Sequence, residues 1–462
     1  MAEPLWTADE IASATGGRVE RGFAATGVSI DTRTLQPGDL FVALAGVRDG
    51  HEFVSAALER GAAGVLASRP VDGPAVQVDD TQAALERLGA AARDRATAAR
   101  RGAVTGSVGK TSVTQAVMAG LTLAGRAHAS VKSYNNHIGV PLTLARMPRD
   151  TERAVFEIGM NHADEIRPLS RMVRPHAALV TTVGPVHTEN FADGEAGVAR
   201  AKAEIFEGLE SGGVAVLNAD NRWFGLLQDA ARAAGAQVRT FGASEDCDAR
   251  LIDFQAAGDH AVVQARLDGK ALDFPILQTG QHWGPNSMAV LLMLDALSVD
   301  LGDSLAALGS FEPLAGRGAE TRLAVTGGEA VLIDESYNAN PLSMASAIAT
   351  LGARSVSGRR IAVLTDMLEL GPEAEAFHAG LAEPLAAAAI DLVFCAGPLM
   401  ESLWNALPPT RRGGYAESAA ALAPQVARAI EPGDVVMVKG SNGSKAGVIA
   451  AALRTLGSGE AG

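Results

Sequence analysis

The 462-residue sequence predicts an α/β protein of three domains. Three observations point there. The length exceeds what one hydrophobic core usually serves, and at ordinary domain size it divides into about three. Near residue 105 a glycine-rich turn ending in Lys-Thr-Ser lies between a short apolar run and a helical pattern. Beyond residue 312, four apolar runs each lead into a polar or glycine-rich loop and then a helical stretch, the rhythm of a parallel doubly wound sheet. The expected divisions are 1–100, a small α/β domain; 101–312, a central parallel-sheet domain; and 313–462, a Rossmann-like doubly wound domain.

Composition narrows the class. Hydrophobic residues make up 47% and charged residues 20%, enough to bury a large core. The 53 acidic against 39 basic residues leave a net charge of −14, which argues against nucleic acid or an acidic membrane surface as the main partner. Any anionic ligand must therefore be held by local charge. Cys247 and Cys395 form no Cys-x-x-Cys pair and are too few for a disulfide framework, as in a reducing compartment. The opening Met1-Ala-Glu-Pro-Leu-Trp6 has no basic region followed by an apolar run, and nowhere do eighteen apolar residues run together. The expectation is a cytoplasmic protein with no membrane insertion and no internal repeat.

In the first segment a helix is expected over Thr7 to Thr15. Val28 to Leu44 reads as strand, turn at Gln36-Pro-Gly-Asp39, strand. A helix follows over Glu52 to Arg60, with Gly61 at its C-terminal cap, and Gly64 to Ala67 restarts a strand. The loops carry Ser29, Asp31, Thr32, Arg33 and Asp49, which are either solvated turn residues or ligand contacts. An Ala- and Arg-rich helix, Gln82 to Arg101, is the expected connection to the second segment.

That segment opens on Val104-Thr-Gly-Ser-Val-Gly-Lys-Thr-Ser112. Gly106 and Gly109 permit backbone angles that a Cβ forbids, so successive N–H groups can turn toward phosphate oxygens at a helix N-terminus. Lys110 would reach the outer phosphates and Thr111 a magnesium ion. The strict eight-residue motif fails, because Val104 stands where it needs glycine, leaving Gly-x-x-Gly-Lys-Thr after a strand of only Ala103 and Val104. Val113, Val117 and Leu121 follow at helical spacing. Ser133-Tyr-Asn135-Asn136 offers two adjacent amides. The apolar run Ala154 to Phe156 ends in Glu157, and Ala178 to Val183 ends in Gly184-Pro-Val-His187, so an acid and an imidazole follow strand ends, where such folds bind metal and substrate. The helix Gly197 to Phe206 carries Lys202 among small residues, and a further strand and turn follow at Val214 to Asp220. Gly280 to Asn286, with His282 and Asn286, opens an apolar helix over Ser287 to Leu297.

In the third segment the apolar runs are Ala330 to Ile333, Ile361 to Leu364, Leu392 to Cys395 and Val435 to Val438. The loops after them carry Asp334-Glu-Ser-Tyr337-Asn338-Ala-Asn340-Pro341, Asp366-Met-Leu-Glu-Leu-Gly371 with His378, and Lys439-Gly-Ser441-Asn-Gly443.

With these loops in view the chain resembles the Mur ligases of bacterial cell-wall synthesis over nearly its whole length. Ser29-Ile-Asp31-Thr32-Arg33 and Asp49-Gly-His51 resemble the family's UDP-sugar-binding domain. Thr105, Gly106, Ser107, Val108, Gly109, Lys110, Thr111 and Ser112, with Glu157, His187, Lys202, His282, Asn286, Arg317, Asp334 and Asn338, resemble its ATP and magnesium positions. The loops containing Tyr337 to Pro341 and Asp366 to Gly371 resemble the branch that adds D-alanyl-D-alanine. Four positions depart from the usual pattern: Val108 replaces Asn, Asp164 replaces Gly, Trp283 replaces Asn and Thr365 replaces Gly.

The resemblance implies a UDP-substrate domain, a P-loop ATPase-like domain and a Rossmann-like ligase domain, acting as a monomer. It implies that the carboxylate of UDP-N-acetylmuramoyl-tripeptide attacks ATP, giving an acyl phosphate that the D-alanyl-D-alanine amine opens to an amide. Catalytic roles fall on Lys110, Glu157, His187, Lys202 and Arg317. Magnesium falls to Thr111, Glu157, His187 and Lys202, the last as an N-carboxylated lysine. Substrate contacts fall to Ser29, Asp31, Thr32, Arg33, Asp49, Asn135, Asn136, Tyr337, Asn340, Asp366 and Ser441. The rival readings are a folate polyglutamylating ligase and, from another class, a P-loop kinase or NTPase switch. The third residue of the peptide, diaminopimelate or lysine, is not written in these motifs.

Overall fold

The structure, a computed structural model, describes residues 4–46, 48–131, 133–258 and 260–456. Its first sheet has the strand order Arg18–Arg21, Ala75–Gln77, Gly64–Ala67, Asp39–Val42, Gly27–Ser29, parallel except at Arg18–Arg21. Thr7 caps the helix Ala8–Thr15: its hydroxyl accepts from the Glu10 N–H while the Glu10 carboxylate accepts from the Thr7 N–H. Gly61 follows the next helix at φ +91°, a left-handed angle that favours glycine. One face of this sheet is covered from outside. Leu142 and Ala145, on the helix Gly139–Ala145 of the central segment, share a core with Trp6, Leu40 and Leu85. Trp6 Nε1 donates to the Ala145 carbonyl at 2.8 Å and Arg146 Nε to the Val28 carbonyl at 2.6 Å. A Cβ on Gly89 would lie 2.9 Å from the Pro141 carbonyl oxygen, so glycine lets the helices Thr81–Arg95 and Gly139–Ala145 pack backbone to backbone.

The central sheet has nine strands, in the order Lys270–Ile276, His260–Leu267, Ala249–Ala257, Gln237–Gly242, Val214–Asn218, Ala177–Val180, Arg100–Thr105, Arg153–Glu157, Ala127–Ala129. The strand before the glycine turn runs through six residues rather than two, and the helix expected to reach Arg101 ends at Arg95. Arg100 and Arg101 read as helical surface, but their guanidinium groups reach the sheet's margins. Arg101 Nε donates to the Val173 carbonyl and Arg100 Nη2 to the Ala296 carbonyl, each at 2.9 Å, while their backbones join the ladder. Four strands from Gln237 to Ile276 escaped the sequence reading. His260–Leu267 pairs antiparallel with both its neighbours, in an otherwise parallel sheet. The helix expected from Ser287 begins at Trp283, which is buried against Phe311 with ring centroids 5.7 Å apart. Apolar clusters cover both faces of the sheet.

The third sheet has the order Ala319–Val325, Gly328–Glu335, Val435–Lys439, Arg360–Thr365, Leu392–Ala396, Arg412–Ala416. All four expected strands are present. The unforeseen ones are the two edges, of which Ala319–Val325 is antiparallel. This sheet too has a core on each face.

Candidate active site

Strand Arg100–Thr105 lies between two parallel neighbours, Arg153–Glu157 and Ala177–Val180, so the loops after all three open at one edge. The first is the glycine turn. Gly106 has φ +150° and Gly109 φ +88°. A Cβ on Gly106 would collide with the Thr181 hydroxyl, which instead donates to the Val108 carbonyl at 2.6 Å. Ser107 Oγ donates to the Gly184 carbonyl at 3.1 Å and accepts from its N–H at 3.0 Å. The neighbouring strand's loop thus shapes the turn, and the bracing contact at Val108 is made by its backbone. Lys110 Nζ donates to the Gly106 carbonyl at 2.7 Å.

Glu157, 1% exposed, pairs in register with Val104. Its Oε1 accepts from Asn135 Nδ2 at 2.7 Å, while Oε2 is buried without a partner. His187 has φ +54° and lies with Nδ1 3.0 Å from Glu369 Oε2. Lys202, on the helix Glu195–Ala203, is 2% exposed, and no carboxylate among the described residues pairs with it. Cations crowd here. Burial, then Lys110, holds the Lys202 ammonium well below its ordinary pKa. Burial, then Lys110 and Lys202, lowers His187 to about 4. Burial also lowers Lys110, against the attraction of Glu157 and with the repulsion of Arg317. In a chain of net charge −14 basic side chains are thus gathered at one place.

The C-terminal segment closes the other side. Arg317 Nη2 donates to Thr111 Oγ1 at 3.0 Å, and its guanidinium carbon lies 4.1 Å from the Tyr337 ring centroid. Tyr337 OH donates to Ser133 Oγ at 2.9 Å, and Ser133 Oγ is 3.1 Å from Thr111 Oγ1. Between the segments lies a cleft of about 440 Å³.

The residues from Ser107 to Ser112, with Asn135, Glu157, His187, His282, Asn286, Arg317, Tyr337, Asn338 and Asn340, all line that cleft. Thr105, Gly106 and Lys202 are not among the lining residues, though Lys202 is near enough to Lys110 and His187 to act on both electrostatically. Asn136 accepts from the backbone N–H groups of Ile138 and Gly139 at the start of the next helix. Three expected contacts face elsewhere. Asp334 is 3% exposed and its carboxylate is taken by Arg454 and the Ser336 N–H. Strand alternation turns the next residue, Glu335, into the cleft instead. Asp366 Oδ1 accepts from the Met400 N–H at 3.0 Å, at the start of the helix Met400–Ala406. Ser441 Oγ accepts from the Leu368 N–H at 3.0 Å and donates to the Ala339 carbonyl at 3.2 Å, bracing two loops.

The N-terminal candidates form a separate group, outside the cleft. Asp31 and Asp49 follow the adjacent parallel strands Gly27–Ser29 and Asp39–Val42. Ser29 Oγ donates to the Asp31 carbonyl at 3.1 Å, Asp31 pairs with Arg33 at 2.7 Å, and the Thr32 carbonyl accepts from Arg60 at 2.9 Å. Asp49 Oδ1 is 2.7 Å from His51 Nδ1.

Glu335, Lys439 and Ser133 also line the cleft and were missed. The signal for Lys439 is a lysine closing the apolar run Val435-Val-Met-Val438 just before glycine. The departures from the usual pattern have local causes. Asp164 has φ +66°, a left-handed angle suited to glycine. Trp283 turns into the core, leaving His282, Pro285 and Asn286 in the cleft. Thr365 is accommodated because Gly440 has no Cβ to strike its hydroxyl.

The residues present suit magnesium. Glu157 Oε2 is a buried, unpartnered hard oxygen, with Thr111 and His187 lining the same cleft. Among the described residues no cluster of three or more His, Cys, Asp or Glu occurs, so the donors suit an ion that keeps waters and phosphate oxygens as ligands.

The chain matches three family profiles, described as "Mur ligase family, catalytic domain" over residues 24–100, "Mur ligase middle domain" over 104–294 and "Mur ligase, glutamate ligase domain" over 321–442. It is 37% identical over 374 residues to the UDP-N-acetylmuramoyl-tripeptide--D-alanyl-D-alanine ligase of Escherichia coli, covering 80% of this chain and 81% of that one. To the ligase of the same name from Bacillus subtilis it is 35% identical, with 91% of each covered. Its structure superposes on that of MurF from Acinetobacter baumannii with a TM-score of 0.85 at 27% identity, covering 97% of this chain and 98% of that one.

Proposed function

The chain belongs to the Mur ligase family, and on that premise we propose that it joins D-alanyl-D-alanine to UDP-N-acetylmuramoyl-tripeptide at the expense of ATP. The observation that carries this is the cleft between segments, where Lys110 from the glycine turn and Arg317 from the C-terminal segment face the half-partnered Glu157 carboxylate. A carboxylate approaching a triphosphate brings several negative charges together, and that is the charge this cleft is built to receive.

The turn's N–H groups and Lys110 hold the β- and γ-phosphates, and His282, Asn286 and Glu335 face the nucleoside end. Thr111, Glu157 and His187, with Lys202 as a carbamate, would hold magnesium, whose charge would offset that of the phosphates. Buried beside Lys110 with its pKa depressed, Lys202 is an amine prone to react with carbon dioxide, which reverses its charge. Arg317 meets the phosphates from the C-terminal segment, and Tyr337, whose OH reaches Ser133 across the cleft, helps keep water from the acyl phosphate. Asp31, Arg33 and Asp49 present the UDP-substrate surface, with Ser29 and Thr32 shaping its turn. The division falls into residues 1–100, 101–312 and 313–462. The enzyme acts as a cytoplasmic monomer. Among the described residues no helix is long and apolar enough to cross a membrane.

The test is ADP formation with UDP-muramoyl-tripeptides carrying diaminopimelate or lysine, each with and without D-alanyl-D-alanine. Turnover should require both substrates. Steady ADP formation with neither would fit an NTPase and refute the ligase reading.

A further inference from the structure

Asp334 and Glu335 are successive acids that point to opposite faces of their strand, and each has its own cation. Asp334 is taken by Arg454 outside the cleft. Glu335 faces Lys439, its register partner on the adjacent parallel strand, with Nζ 3.3 Å from Oε2. The same ammonium donates to the Asn338 carbonyl at 3.1 Å, in the loop that carries Tyr337 and Asn340. The Lys439 side chain is 3% exposed and that of Glu335 19%. Glu335, Lys439, Tyr337, Asn338 and Asn340 all line the cleft, and Asp334 and Arg454 do not.

We propose that Lys439 is a positioning residue for nucleotide binding, fixing Glu335 and the Asn338 loop and cancelling the Glu335 charge so that the cleft can admit a polyanion. The proposal rests on reading this cleft as the ATP site. Without the ammonium, Glu335 would be a bare carboxylate in a partly desolvated cleft where repulsion is weakly screened. Two of the three ammonium donors are already committed, one to each of the groups it holds. Lys439 thus acts on the nucleotide through Glu335.

The experiment compares Lys439→Met, Glu335→Gln and the double variant, with ATP affinity by calorimetry, KM for ATP, kcat, and UDP-substrate affinity as the check on folding. Lys439→Met should raise the ATP Kd and KM about tenfold while kcat changes less than about threefold, the mark of lost ground-state binding. In the Glu335→Gln background the same change should cost under about threefold, because the carboxylate to be cancelled is gone. Equal losses in both backgrounds would mean that Lys439 meets the nucleotide directly or only packs, and would overturn the proposal. Should the Met variant not fold, Lys439→Arg decides: ATP affinity within about threefold of wild type supports it, and a tenfold loss with the charge retained refutes it. Failure of the ligase reading would show separately, as wild-type ADP formation that needs no acceptor.

Discussion

Replacing Asn135 by Ala should destabilise the central domain by about 2 kcal/mol when no metal or nucleotide is bound. The Asn135 amide is the single hydrogen-bond donor to the Glu157 side chain among the described residues, at 2.7 Å, and Oε2 already lacks a partner. Hydrogen bonds to charged groups contribute about 1.5–3 kcal/mol, and a buried carboxylate stripped of its last donor bears the desolvation cost outright. The attraction between Lys110 and Glu157 remains and keeps the loss below the ~3–5 kcal/mol typical of a broken buried ion pair. For a domain of this size that corresponds to a fall of about 4–8 °C in its thermal midpoint. Scanning calorimetry of the whole chain would read it in the central-domain transition. Magnesium with a nonhydrolysable ATP analogue should shrink the deficit, because Glu157 then has a cation to meet, and the Glu157→Gln background should shrink it too. An unchanged midpoint, or the same loss beside Gln as beside Glu, would refute the view that Asn135 holds a charged ligand ready for metal.

Lys110→Ala should reduce acyl-phosphate formation by about 10³-fold, while UDP-substrate affinity, proposed to depend on residues outside the cleft, should change less than about twofold; a collapse of that affinity in a folded variant would refute the division of labour. Lys202→Ala should be nearly inactive and regain activity with added short carboxylates in a magnesium-dependent way, and full activity of the unsupplemented variant would refute the carbamate role. His378 accepts the Met367 N–H at Nε2 and meets the Ala374 carbonyl at Nδ1, and burial lowers its pKa. The unfolded chain, titrating near ~6.5, then takes up the proton first, so stability is complete above that pH and lost as pH falls through the depressed folded value. His378→Gln should flatten the acid slope of the C-terminal transition in urea titrations run downward from about pH 7, and an unchanged slope would count against it.

Local chemistry made much of this protein legible. The turn at Gly106 and Gly109, the helix beginning near Thr7, and the apolar run ending in Glu157 are short-range statements, in which the residue types state the backbone they require. The order of three segments followed from the same rhythm of strand, loop and helix. What remained hidden depended on which distant group stands opposite. Whether Asp334 or Glu335 faces the cleft is set by strand parity and by Arg454 on the far face. Asp366 and Ser441 look like ligand contacts in sequence, yet the Met400 and Leu368 N–H groups claim them once the loops fold together. Arg100 and Arg101 enter the central strand because carbonyls of remote segments await their guanidinium groups. The sequence by itself determined the glycine turn, its left-handed backbone and the three α/β segments, since each needs only neighbours along the chain. Tertiary structure alone decided which acids and amides are free to act, because a polar side chain is available to a ligand only when no buried backbone group has claimed it first.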